Sequence, residues 1–240
     1  MKFMINLLRL MAQGIVAVGV LFFSSGPSHA GAYEDFFKAV EMDDGRTILG
    51  LLRRGFDVNS PSETGQTALF LALRGDALQA ATALLSAPDI KIDQANEARE
   101  TALMMAALRG QLEWCQRLVD RGAAVNREGW SPLHYAATGP NPRTVSYLLG
   151  KGAQVNALSP NGTTPLMMAA RYGNEASVEV LLAANADPKV RNQKDLTAAD
   201  FAREAGRQVL ANRLAVLSGP SVVPGPAPAA ASGGASAVPR

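Results

Sequence analysis

The sequence is poor in the side chains that most enzymes and metal proteins need. Cys115 is the only cysteine among 240 residues, so an intrachain disulfide or a cluster of thiolate metal ligands is excluded. There are two histidines, and one of them, His29, lies in the N-terminal segment. His134 is then the single imidazole of the body of the chain. A His-based catalytic triad or a multi-histidine zinc site has too few residues to be built from. No glycine-rich phosphate loop follows a strand pattern anywhere. Asp43-Asp44-Gly45 has the opening of a calcium loop without its remaining ligands, and reads as a turn between helices.

Excess charge is missing too. The formal net charge is +2, from 23 basic and 21 acidic residues. Lys2 and Arg9 stand in an N-terminal segment of 30 residues that has no acid, which leaves 21 of each sign in the rest. The overall balance gives no support for attraction to nucleic acid or to anionic lipid.

What is present begins with an export pattern. Lys2 and Arg9 form a positive n-region, Leu10 to Phe23 an apolar stretch broken by Gln13 and glycines, and Ser28-His29-Ala30 a small-x-small cleavage site. The apolar core, about 14 residues, is short of the roughly 20 that span a bilayer. The expectation is a signal peptide over residues 1–30, cleaved after Ala30, and a periplasmic destination. The alternative is an uncleaved inner-membrane anchor facing the periplasm. No twin-arginine pair precedes the apolar run, and no cysteine near the site allows lipid attachment.

A repeat then organises residues 32–218. Thr67-Ala68-Leu69, Thr101-Ala102-Leu103, Ser131-Pro132-Leu133-His134, Thr164-Pro165-Leu166 and Thr197-Ala198-Ala199 open similar stretches, spaced 34, 30, 33 and 33 residues apart. From each opening residue, 17 positions lead to a pair such as Leu84-Leu85, Leu118-Val119, Leu148-Leu149 or Leu181-Leu182. The same step back from Leu51-Leu52 reaches Glu34, which starts a degenerate first unit. Six units fit, beginning near residues 34, 67, 101, 131, 164 and 197, with length variation confined to the connections. Each reads as two short helices and an extended finger. Thr or Ser caps the first helix, and Pro132 and Pro165 take its first position. Gly110, Gly139, Gly173 and Gly206 turn the chain. Gly55, Gly122, Gly152 and Asn185 end the second helix in a conformation suited to positive φ.

A period of 33 with the Ser131-Pro132-Leu133-His134 signature, and the endings Gly122-Ala123-Ala124-Val125-Asn126 and Gly152-Ala153-Gln154-Val155-Asn156, resembles the ankyrin-repeat family. The resemblance implies an all-α repeat solenoid of about six stacked helix pairs with β-hairpin fingers, and atypical first and last units as caps. It also implies a protein-binding module without enzymatic activity or cofactor, and assigns His134 to hydrogen bonding between adjacent units. Residues 219–240 contain 5 Pro, 6 Ala, 4 Gly and 3 Ser and read as a disordered tail.

In the family, partners meet the concave face, made of finger tips and the exposed ends of the first helices. On this chain that face maps to Arg74, Glu97, Leu108, Arg109, Arg127, Glu128, Trp130, Arg171 and Tyr172, among others. Trp130 and Tyr172 are the candidate anchors and Arg74, Arg109 and Arg171 a candidate basic row, because large aromatics and Arg dominate interface energetics. The bland alternative has Trp130 packing on neighbouring fingers and the arginines solvated. Cys115 is placed on a second helix as a small apolar residue. Asn126 to Gly129 spans 3 residues where Asn59 to Gly65 and Asn156 to Gly162 span 6, so the finger beside Trp130 is short and leaves a notch. The partner expected is another protein, met by a monomer, without nucleic acid and without stable membrane anchoring after cleavage. An inhibitor or immunity protein for a periplasm-acting toxin or hydrolase, and a helper of a periplasmic enzyme such as one handling oxidative stress, are the more specific alternatives.

Overall fold

The computed structural model describes residues 27–219. The signal-peptide reading and the tail reading fall almost wholly outside these residues. The chain divides into two compact units, residues 1–35 and 36–240, and every helix from the second onward lies in the latter. The described residues form twelve helices: α1 Pro27–Glu41, α2 Gly45–Arg53, α3 Ala68–Arg74, α4 Leu78–Leu85, α5 Ala102–Leu108, α6 Leu112–Asp120, α7 Pro132–Thr138, α8 Pro142–Gly150, α9 Pro165–Tyr172, α10 Glu175–Ala183, α11 Ala198–Glu204 and α12 Gln208–Ser218. From α3 onward, each odd-numbered helix packs on the even-numbered one that comes after it and on the odd-numbered one of the next unit.

The repeated threonine starts its helix by chemistry. Thr67, Thr101, Thr164 and Thr197 sit in extended backbone, and each side chain accepts the N–H three residues on. At Ser131 the arrangement changes: His134 Nδ1 accepts the Ser131 N–H at 3.2 Å and lies 2.9 Å from its hydroxyl. The leucines at the third position, Leu69, Leu103, Leu133 and Leu166, are buried, as are the alanines nearby in the same helices. Small residues set the spacing between units. A Cβ on Gly173 would stand 2.1 Å from the Ala137 carbonyl oxygen, and one on Gly139 2.8 Å from those of Ala107 and Leu108. These two glycines are needed for close approach, since neither has positive φ, whereas Gly110 (φ 70°) and Gly206 (φ 74°) do.

Polar side chains tie each unit to its neighbour's backbone. Asn59 Oδ1 accepts the Lys91 N–H at 2.7 Å, Asp93 that of Ala124 at 3.0 Å, Asn126 that of Gln154 at 2.9 Å and Asn156 that of Asp187 at 2.9 Å. Helix ends are served in the same way. Arg121 donates to the Leu85 and Ala87 carbonyls, Asn141 to Gly110, Asn174 to Pro140, and Arg207 to Ala169, Ala170 and Gly173. The last carbonyls of a helix have no partner within it, so a neighbouring unit satisfies them.

The fingers depart from the expected β-hairpins. Among the described residues there is no strand, only an isolated bridge between Pro61 and Thr67. Four fingers are instead closed as tight turns: the N–H groups of Ser62, Asn96, Ser159 and Asn192 donate to the carbonyls of Gln66, Glu100, Thr163 and Leu196 at 2.8–3.1 Å. The tip residue has positive φ in five fingers, at Gly65, Arg99, Gly129, Gly162 and Asp195.

His134 is completely buried, and its Nε2 donates to the Thr163 carbonyl of the next unit at 2.9 Å. Nδ1 accepts from a backbone N–H, which places the proton on Nε2. Burial pushes its pKa down to about 4. In the unfolded chain the imidazole titrates near 6.5, so the unfolded state takes up a proton first as pH falls. Stability present above about pH 6.5 is therefore lost progressively towards pH 4, on the order of 3 kcal/mol at most. Urea melts at pH 7 and pH 4.5 should show this loss, and His134→Phe should flatten the profile between those values. An equally steep profile in the variant would assign the effect to other groups.

Candidate partner-binding face

The face that the sequence singles out is built from finger turns and the C-terminal ends of the first helices. In four fingers a polar residue five positions before the unit's opening residue holds the turn from inside. Ser62 Oγ accepts the Gln66 N–H, Asn96 Oδ1 that of Glu100, Ser159 Oγ that of Thr163 and Asn192 Oδ1 that of Leu196, at 2.9–3.1 Å. Before Ser131 that position is Asn126, whose side chain is already turned to Gly152 and Gln154 of the next unit. The short finger thus lacks the internal brace of the others.

Trp130 supplies a substitute. Its ring stands edge-on to the His134 ring, with centroids 5.2 Å apart and planes at 77°. The indole is half-buried, so one part steadies the finger and the remainder faces solvent. Gly129 lies beside Pro160 of the next finger, where a Cβ would be 3.5 Å from Pro160 Cγ. On that neighbouring finger Leu158 is 54% exposed. Leu158 lies six positions before Thr164, outside the slots to which the family pattern maps a binding face, so sequence reasoning misses it. The available signal is a leucine within the otherwise polar or small run Ala157-Leu158-Ser159-Pro160-Asn161-Gly162.

Of the three arginines of the expected basic row, Arg171 is ion-paired, while Arg74 and Arg109 are exposed and form no ion pair among the described residues. Arg171 ion-pairs with Glu204 of the next unit, and its guanidinium lies over Tyr172 at 5.3 Å and Phe201 at 5.9 Å. Arg74 is exposed and donates to Gln66 Oε1 at 3.1 Å. Arg109 is exposed, with no side-chain partner among the described residues. Arg127 is half-buried and reaches the Asp93 carbonyl at 3.5 Å. Leu108 and Tyr172 are half-buried at the ends of α5 and α9, and Glu97 and Glu128 are exposed on fingers. Glu100, also on the mapped slots, is buried instead: it accepts hydrogen bonds from the Tyr135 hydroxyl at 2.8 Å and the Asn96 amide at 3.0 Å.

Cys115 is fully buried on α6, and loss of hydration pushes its thiol up to about 12, so it stays protonated at neutral pH. Among the described residues no three His, Cys, Asp or Glu side chains are grouped to hold a metal ion. What the face offers is a stiff row of exposed side chains.

A family model for ankyrin repeats (3 copies) matches residues 36–128, 79–159 and 124–192. The chain belongs to the ankyrin-repeat family. Repeats of this kind are generally non-enzymatic modules for binding other proteins. The Drosophila melanogaster ankyrin repeat and KH domain-containing protein mask is 40% identical over 101 residues, 40% of this chain and 2% of that protein. The human neurogenic locus notch homolog protein 4 is 44% identical over 93 residues, 37% of this chain and 5% of that one. This ankyrin chain spans between 2% and 36% of the length of the first curated relatives it matches. A solved chain is matched over nearly its own whole length: one from the Bd0816 predatory endopeptidase of Bdellovibrio bacteriovorus in complex with immunity protein Bd3460. That chain aligns with a TM-score of 0.65 and 31% identity over 75% of this chain and 96% of its own length.

If Trp130 contacts a partner, Trp130→Ala should weaken binding by more than about 1 kcal/mol. Because the ring also braces His134, the melting midpoint should fall modestly in the same variant. Trp130→Phe, which keeps an edge to pack on His134, should recover the stability and not the affinity. Affinity unchanged in Trp130→Ala, measured by calorimetry, would leave the residue with a bracing role alone.

Proposed function

We propose that this ankyrin protein is exported to the periplasm and there binds an endopeptidase or related hydrolase through its finger face, holding that enzyme in check as an immunity protein does. The observation that carries the reading is the match to a chain of the endopeptidase–immunity complex, which extends over 96% of that chain at 31% identity. The reading takes the matched chain to be the immunity partner of that complex. The likeness thus covers nearly a whole inhibitor-type protein, whereas the likenesses to mask and to the notch homolog cover a few per cent of large ones.

The physical arrangement suits inhibition by capping. A turn-built face on a stiff stack loses little conformational freedom on binding, so affinity comes from preorganisation. Exposed Leu158 and half-buried Trp130, together with half-buried Leu108 and Tyr172, supply the apolar surface of this face. Arg109 and Glu128 are exposed on the same face, with no side-chain partner among the described residues. Periplasmic placement rests on the export pattern of residues 1–30.

Affinity capture from a periplasmic extract, with the wild-type chain beside a Trp130→Ala/Arg109→Ala variant, tests the reading. The expected result is a hydrolase retained by the wild type and released by the variant, whose activity on its substrate falls when the ankyrin protein is added in equimolar amount. A retained protein with no hydrolytic activity, or an enzyme whose rate is unchanged or raised, would set the inhibitory reading aside and leave a scaffold or a helper.

A further inference from the structure

On the opposite side of the stack, made of the second helices, one stretch combines arginines without an ion pair and exposed large apolar side chains, whereas α12 exposes Val209 and Val216 but has its arginine paired. Neither α2 nor α4 contains an acidic residue, and α2 carries Arg46 and Arg53, with Arg54 at its C-cap. All three arginines are exposed, and none forms an ion pair among the described residues. Elsewhere on this side most arginines are committed: Arg117 lies 4.1 Å over the Trp114 ring, Arg121 and Arg207 cap helix ends, and Arg213 pairs with Glu175 and Glu179. Arg143 on α8 is exposed without an ion pair among the described residues, but on a helix that exposes no large apolar side chain. The next second helix, α6, already includes Glu113 and Asp120.

Apolar exposure coincides with this basic stretch. Met42 is 69% exposed, Leu49 41% and Leu78 37%. On the α-helical wheel Arg46, Leu49 and Arg53 fall at i, i+3 and i+7, so they share one face, while Ile48 and Leu51 point into the core. That face is held rigidly. A Cβ on Gly45 would stand 2.7 Å from the Gln79 carbonyl, so α2 lies directly against α4, and Asp43 Oδ1 accepts the Ala80 N–H at 2.8 Å. Of the acids near the face, Asp43 and Asp44 are engaged in these turn and cap bonds, Asp44 accepting from both the N–H and the hydroxyl of Thr47, and Glu41 beside Met42 is exposed.

We propose that the face formed by Arg46, Leu49, Arg53 and Leu78, with Met42 and Arg54 at its rim, rests on the headgroups of an anionic phospholipid bilayer. Charge complementarity and interleaved apolar side chains are the two attributes of a helix face that lies in a membrane interface. Guanidinium groups would meet lipid phosphates, and the leucines would enter the boundary with the acyl chains. The balanced overall charge conceals the feature, because it is local. The finger face is left pointing away from the lipid and open to a protein, so this inference stands whether or not the partner is a hydrolase.

The test uses the full chain with a polarity-sensitive fluorophore on Leu49→Cys, Cys115 being buried, and vesicles of phosphatidylcholine with or without phosphatidylglycerol. The expected result is a blue shift with the anionic vesicles only. Arg46→Glu/Arg53→Glu in the same background should raise the lipid concentration at half-effect by at least about tenfold. Arg143→Glu, an exposed change on α8, should leave it where it was. A fluorophore on Ser146→Cys should stay in water throughout. No shift at Leu49→Cys, an equal shift with neutral vesicles, or a shift indifferent to the charge reversals would overturn the proposal; the first of these with binding to an acidic protein instead would reassign the face to a protein.

Discussion

A helix pair of this size cannot satisfy its own backbone. The carbonyls at its helix ends and the N–H groups beyond its second helix point outward with no partner inside the unit. In this protein the next or preceding unit provides those partners, through Asn59, Asp93, Asn126 and Asn156 along one edge and Arg121, Asn141, Asn174 and Arg207 along another. Each bond contributes roughly 1 kcal/mol net, and leaving a buried group unpaired would cost more than that. Stability therefore resides in the interfaces between units, as a nearest-neighbour array requires. The close approach of first helices at Gly139 and Gly173 is the steric half of the same constraint.

That division of labour leaves most finger positions without a duty to the core, apart from points such as Glu100, which accepts from Tyr135, and the Thr163 carbonyl, which accepts from His134. Finger tips need only positive φ at one residue and a polar side chain to brace the turn, which leaves the remaining positions open to vary. The finger before Ser131 is the case in which the brace is lost. Three residues shorter than its neighbours, it has Asn126 committed to the next unit and relies on Trp130 packing against His134. The same shortening stands beside exposed Leu158, so an irregularity of the framework coincides with apolar surface on the binding side. The chain shows family repeats across residues 36–192 and an immunity-complex chain as a structural relative, and both accord with a surface that acts by contact.

Much of the fold is legible in the sequence because its causes are local. Thr67, Thr101, Thr164 and Thr197 act as caps by residue type, Pro165 fits a first helical turn, and Gly55, Gly122, Gly152 and Asn185 do take positive φ. The link from His134 to the next unit is also within reach, since it is the imidazole of the family signature. The turn geometry is less visible. Arg99 and Asp195 occupy the left-handed tip positions that glycine takes elsewhere, and only the register of the repeat marks them. The β-hairpins do not form because the turns close over four residues and leave no length for a ladder. On the face, Arg171 and Glu204 occupy the same slot in successive units, so their pairing can be read from register. The burial of Glu100 cannot, because it depends on Tyr135, 35 residues away and one unit on.

The finger turns, and not the second helices, are the place proposed for a protein partner. Amide hydrogen exchange of the chain with and without its captured partner addresses this directly. Slowed exchange is predicted at the turns of residues 96–100, 126–130 and 157–163, with the second helices α6, α8 and α10 unchanged. Slowing confined to those second helices, with the turns exchanging as in the free chain, would contradict it.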